Sequence, residues 1–141
     1  MNLSRIGMLK VGKLVMNRSI ALAPKDTGNL RESGFLVFGG EKVPPQNISS
    51  SNFNTEANEG KRVAAEHAGV IGTFMASKRP NPFVVIGHSA FYALKEHEAT
   101  EEDPHKFGQS KYLEEAVNRS HKEILNILNL KEVLDITYLM T

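Results

Sequence analysis

The 141-residue chain contains no cysteine. This removes disulfides, thiol nucleophiles and thiolate metal sites from consideration and is compatible with a reducing compartment. Net charge is nearly absent too: 17 basic residues stand against 16 acidic ones, a formal +1. No overall field therefore argues for nucleic acid or an anionic membrane. Long apolar runs are missing as well. No stretch approaches the ~18 residues that a membrane helix needs, and Arg5, Lys10 and Lys13 interrupt the N-terminal region where a signal peptide would be continuously apolar. The chain is expected to be soluble and unexported. Strong compositional bias is lacking: 40% hydrophobic and 23% charged residues are ordinary for a globular protein and exclude wholesale disorder or a collagen-like rod. There is no repeat of fixed period.

The length suits one domain with a self-sufficient core, here residues 1–129, followed by a tail over residues 130–141. Charge is unevenly spread. Seven Lys or Arg against three acids occupy residues 1–42, whereas Glu96, Glu98, Glu101, Glu102 and Asp103 crowd a later stretch. The two regions are either solvated surface or attract each other between copies, and exposed pairs contribute only about 0–1 kcal/mol.

Residues 4–22 read as an amphipathic helix, with Met8, Val11, Leu14, Val15 and Leu22 on one third of the wheel. Gly7 and Gly12 each weaken it by about 1 kcal/mol, so tertiary packing must hold it. Pro24 ends it. Asp26 and Gly28 then favour a turn that leads from helix to strand, and residues 33–38 form an apolar and aromatic strand. Residues 41–62, rich in Pro, Ser and Asn with only Val43, Ile48 and Phe53 to bury, read as a long loop or projecting arm. Residues 67–75 and 83–87 read as two strands of a hairpin about the turn sequence Lys78-Arg79-Pro80-Asn81-Pro82. The second does not alternate, which predicts cover on both faces. Leu113, Ala116, Val117, Ser120, Ile124, Ile127 and Leu128 mark a C-terminal helix, with Ser110 as N-cap and Glu114 and Glu115 in its first turn. The predicted class is α+β, a small, mainly antiparallel sheet packed by N- and C-terminal helices.

Chemistry finds little support. His88, His97 and His105 lie near several acids, but their spacing matches no compact ligand pattern, and surface or capping roles fit them better. Gly87-His88-Ser89-Ala90 is a distant echo of the G-x-S-x-G elbow. No phosphate cradle occurs, and no cofactor or catalytic residue is expected. Arg5, Lys10, Lys13, Arg18 and Lys25 could approach phosphates without sequence preference, which leaves a DNA-contacting accessory protein as the alternative reading.

Two blocks carry a resemblance. Ala23-Pro24-Lys25-Asp26-Thr27-Gly28-Asn29-Leu30-Arg31 resembles the Ala-Pro-x-Asp-Thr-Gly-x-Leu-Arg signature of the neck and tail-completion proteins of tailed bacteriophages, the tail components that join head to tail. Val85-Ile86-Gly87, then Phe91-Tyr92-Ala93, then His97-Glu98-Ala99-Thr100, is similar to that family's second block, in which glycine stands where this chain has Ala99. The stretch 43–62 reads as an insertion relative to the family, and Phe107-Gly108-Gln109-Ser110 replaces its usual Phe-x-x-Pro-Ala lead into the last helix. The resemblance implies a non-enzymatic virion protein: a subunit of a ring of six or twelve copies in the neck, as connector layer or tail terminator. It would meet neighbouring neck, connector or tail proteins, with DNA passing through the lumen, and no membrane would be involved. Before incorporation it would reside in the host cytoplasm. Val43, Ile48 and Phe53 of the arm, and Leu134, Ile136, Tyr138 and Leu139 of the tail, are the expected inter-subunit contacts.

Overall fold

A computed structural model describes residues 3–25, 28–39, 44–47, 51–77, 83–98 and 111–128. Its described elements run α1 (Leu3–Leu22), α2 (Asn29–Glu32), β1 (Gly34–Gly39), α3 (Asn58–Met75), β2 (Phe83–His88), α4 (Ala93–His97) and α5 (Tyr112–Leu128). The class is α+β, as predicted, with the terminal helices packed on a two-stranded antiparallel sheet.

The sheet pairs Gly34 with His88 and continues in register to Gly39 with Phe83. The partner of β2 is thus β1, and the predicted hairpin with residues 67–75 does not form. Those residues belong to α3. The glycines and β-branched residues of this stretch favour a strand locally, but its buried positions, Gly60, Val63, His67 and Ile71, recur every three or four residues. The C-terminal end of that stripe lies against β1, while Val63 enters the other core cluster. Phe35, Val37, Val85 and Ile71 form one buried cluster, and the Phe35 and Phe74 rings stack with centroids 5.7 Å apart. Leu36 points the other way, toward α1. Both faces of the sheet are covered, which is why neither strand alternates in sequence.

Helix α1 shows no narrow apolar stripe because it is buried on two sides. Val15, Met16, Ser19 and Ala23 are buried, whereas Met8, Val11, Leu14 and Leu22 are only half-buried. A Cβ added at Gly12 would stand 2.5 Å from Leu36 Cδ1 and 2.7 Å from Val84 Cγ1, and one at Gly7 3.1 Å from Leu128 Cδ2 of α5. The glycines that cost helix propensity allow the close approach of helix to sheet and of helix to helix.

The expected arm over 41–62 is replaced, where it is described, by structure held to the domain. Gln46 forms a bridge with Leu36 on the free side of β1, its N–H donating to the Leu36 carbonyl at 2.9 Å. Asn47, at φ 64°, donates from Nδ2 to the carbonyls of Glu32 and Gly34. Asn54 and Asn29 bond reciprocally, backbone to side chain, at 2.7 and 2.8 Å, and α3 begins at Asn58.

Two glycine substitutions should have opposite signs in urea denaturation. Gly12→Ala forces Cβ into Leu36 and Val84 and should lower stability by about 1–3 kcal/mol. At Gly72, an exposed helical position where nothing lies within 4 Å of an added Cβ, Gly72→Ala should raise stability by up to about 1 kcal/mol.

Candidate functional site

The two sequence blocks meet where α1 ends. The first block begins as α1 closes, with Ala23 N–H donating to Ser19 O at 2.9 Å and Pro24 buried behind it. Asp26 and Thr27 lie outside the described residues. Gly28 adopts φ 88°, a left-handed conformation that side chains resist, and turns the chain into the single turn of α2. Leu30 is 4% exposed, and its carbonyl accepts from Ser33 Oγ at 2.7 Å. Arg31 reaches back and donates from Nε to the Ala23 carbonyl at 2.7 Å, closing the corner on itself.

The second block enters through β2. Gly87 is buried opposite Phe35. His88, wholly buried, donates from Nδ1 to the same Leu30 carbonyl at 3.0 Å and accepts at Nε2 from Ser19 Oγ at 2.8 Å. A carbonyl cannot donate, so the tautomer is Nδ1–H. Burial is the largest influence on this ring and pushes its pKa down to about 4, with the Leu30 bond opposing and the nearby His97 reinforcing. The next residue, Ser89, bonds through its hydroxyl to Nδ1 of buried His67, whose Nε2 donates to the Asn47 carbonyl. Burial lowers the pKa of His67 also, against that carbonyl bond.

Ala93 is buried on α4, and its carbonyl accepts from the Tyr112 hydroxyl at 2.7 Å. The Tyr112 ring stands edge-on between His88 and His97, at 5.0 Å from each, and its burial drives the phenol pKa upward. His97 serves as a cap. Its Nδ1 donates to Glu98 Oε1 at 2.9 Å, and its Nε2 accepts a long 3.4 Å bond from the Glu114 amide in the first turn of α5. Glu98 is exposed and pairs with Lys111, which holds the Glu98 carboxyl below its usual pKa and raises that of the lysine. Tyr92 is half-buried, edge-on to Phe91, over whose ring the Arg62 guanidinium lies 4.0 Å away.

Of the expected contact residues, Phe53 is 7% exposed and packed edge-on against His67. It fills its own chain's core instead of reaching a neighbour. Val43, Ile48, Thr100, Leu134, Ile136, Tyr138 and Leu139, and the N-cap Ser110, lie outside the described residues. Ser19, Asn29, His67 and Tyr112 are the junction residues that sequence reasoning passed over. Their signal was present as polar residues on otherwise apolar helical faces.

The arrangement is chemically closed. Ser89 and His67 have nucleophile and base spacing, but they are 2% and 0% exposed, and the outer nitrogen of His67 meets a carbonyl where a hydrolase would place an orienting carboxylate. Among the described residues, no group of three His, Asp or Glu side chains is placed to hold a metal ion, and every buried side-chain nitrogen or oxygen has a partner. An open depression between α1 and α5 is lined by Arg18, Ala21, Leu22 and Arg119. Arg18 donates to Arg119 O, Ser120 Oγ and Glu123, and Arg119 pairs with Glu115. Comparison of the chain with protein-family models, with curated proteins and with solved structures gives no match.

If the corner is a structural device, Arg31→Met should keep the aliphatic stem and lose the charged bond to Ala23. We expect a loss of about 1.5–3 kcal/mol in urea denaturation, with the helical circular dichroism unchanged in native buffer.

Proposed function

We propose that the chain is a non-enzymatic subunit of a ring in the neck or upper tail of a tailed bacteriophage, where it helps to join head and tail. The observation that carries this reading is the Ala23-Pro24-x-Asp26-Thr27-Gly28-x-Leu30-Arg31 block, together with the later Gly87, Tyr92-Ala93 and His97-Glu98 positions. The fold adds support. The two blocks share one buried cluster, which joins Ala23 and Leu30 of the first to Ala93 of the second, and the Leu30 carbonyl also accepts from His88, the residue after Gly87; this is how a signature that maintains architecture behaves. Leu30, Ala93 and His97 of these blocks are buried, which fits an architectural role.

Ring closure requires heterologous contacts between identical copies. With Phe53 in the core, the tail over 130–141, which carries Leu134, Ile136, Tyr138 and Leu139, is the foremost source of such contacts on this reading. The exposed Lys10 and Lys13 of α1 and the exposed Glu98 after α4 offer opposite charges for such contacts.

Light scattering of the purified protein, with electron micrographs of the same sample, should give discrete closed rings of six or twelve copies. Deleting residues 130–141 should reduce assembly and leave the helical signal intact. Rings formed fully by the truncated protein would remove the tail from the interface. A protein that stays monomeric with neck and tail partners, and binds DNA with a steep salt dependence, would replace this reading by the accessory one.

A further inference from the structure

His67 and His88 are both 0% exposed and come from different elements, α3 and the end of β2. Each ring donates from one nitrogen to a main-chain carbonyl, Asn47 or Leu30, and accepts at the other from a serine hydroxyl, Ser89 or Ser19. Ser89 follows His88 directly, and its amide donates to the Ser33 carbonyl at 3.0 Å, so the two rings are coupled through one short stretch of backbone. Only neutral imidazole satisfies this pattern. A proton on the accepting nitrogen sets an N–H against a hydroxyl hydrogen, and the serine must turn and find another acceptor inside the core.

Among the described residues, no carboxylate bonds to either ring. Of those residues, Ser19 of α1, the Leu30 carbonyl of α2 and the Tyr112 ring of α5 face His88, and His97 of α4 disfavours charge on it. Glu96 acts on the Tyr112 phenol. Of the charged side chains on these elements, Arg18 pairs with Glu123, Arg31 bonds to the Ala23 carbonyl, and Glu98 is shared between Lys111 and His97 Nδ1–H, so that this carboxylate meets His97 and not His88. Around His67 stand the Phe53 ring at 5.1 Å, Ser89 and Asn47, while Glu66 on the same helix is held by Arg62.

We propose that His88 and His67 act as a two-point acid latch: neutral, they hold α1, α2, α3 and residues 44–47 to the end of β2, and on protonation they release that junction. The inference concerns the subunit itself and does not depend on the ring reading.

The sign follows from linkage. The folded pKa of His88, about 4, lies below the ordinary 6.5. Its contribution is complete above pH 6.5 and is lost as pH falls through the interval down to about 4; His67 acts in the same direction. The test is histidine ring NMR on the wild-type protein during acid titration, alongside the acid transition of His88→Gln and His67→Gln followed by circular dichroism. In the wild type, the His88 ring should keep its neutral Nδ1–H signature until the junction opens. In the variants, the acid midpoint should move down by about one pH unit, because the amide retains a donor and an acceptor but takes up no proton. Ordinary titration of His88 near pH 6.5 in the intact fold would overturn the latch, and so would an unchanged acid midpoint in folded variants. The wild-type titration decides the matter even if neither variant folds.

Discussion

The hydrogen bonds of the His88 imidazole tie together parts of the chain that lie far apart in sequence. One nitrogen holds α1 through Ser19, the other holds α2 through Leu30, the backbone belongs to β2, and the ring face rests on Tyr112 of α5. A buried polar ring contributes little net free energy when both nitrogens are bonded, and leaving either unpaired costs about 1–3 kcal/mol. That asymmetry is a source of specificity. Apolar packing would accept α1 in several registers on the sheet, but Ser19 meets Nε2 in one of them.

Gly12 restricts α1 from the opposite direction. The helix comes so near the sheet that a single methyl group would collide with Leu36 and Val84, while Gly7 brings the Leu128 side chain close on the α5 side. A central helix held by close contact on two faces and by a directional bond near its end has little freedom left. The signature corner that follows is bound by the same geometry, because Arg31 closes on Ala23 in the turn that the end of α1 creates.

This explains which parts of the molecule were legible in sequence. Both strands and α5 could be read from apolar runs and a helical stripe, since there local pattern and tertiary demand agree. Helix α1 was bounded by Pro24, but its expected apolar face is, apart from Val15, only half-buried. Helix α3 could not be read. Val70, Ile71, Thr73 and Phe74 favour a strand, Gly69 and Gly72 disfavour a helix, and the neighbouring turn sequence invited a hairpin. The stripe Gly60, Val63, His67 and Ile71 outweighs them because burial is worth more than propensity. Capping by His97 matches the surface or capping role expected of these histidines, but His88, under the same expectation, is wholly buried, and its partners, like the pairing of His67 with Ser89 and of Asn29 with Asn54, required knowing which distant segments meet. The polar stretch after β1 misled for a related reason: its asparagines engage the domain's own backbone, and composition alone does not distinguish that from solvation.

The placement of α1 against α5 also bears on how the chain is made. Arg18 bonds to Ser120 and Glu123, partners more than a hundred positions later, and β1 waits for β2 to emerge some fifty residues on. At roughly 5–20 residues per second, α1 spends on the order of 5–20 seconds outside the ribosome before α5 exists to cover it. Its half-apolar, glycine-interrupted surface is poorly suited to fold alone in that interval. The described fold is therefore completed only after α5 has been made, when contacts of such long sequence separation form together.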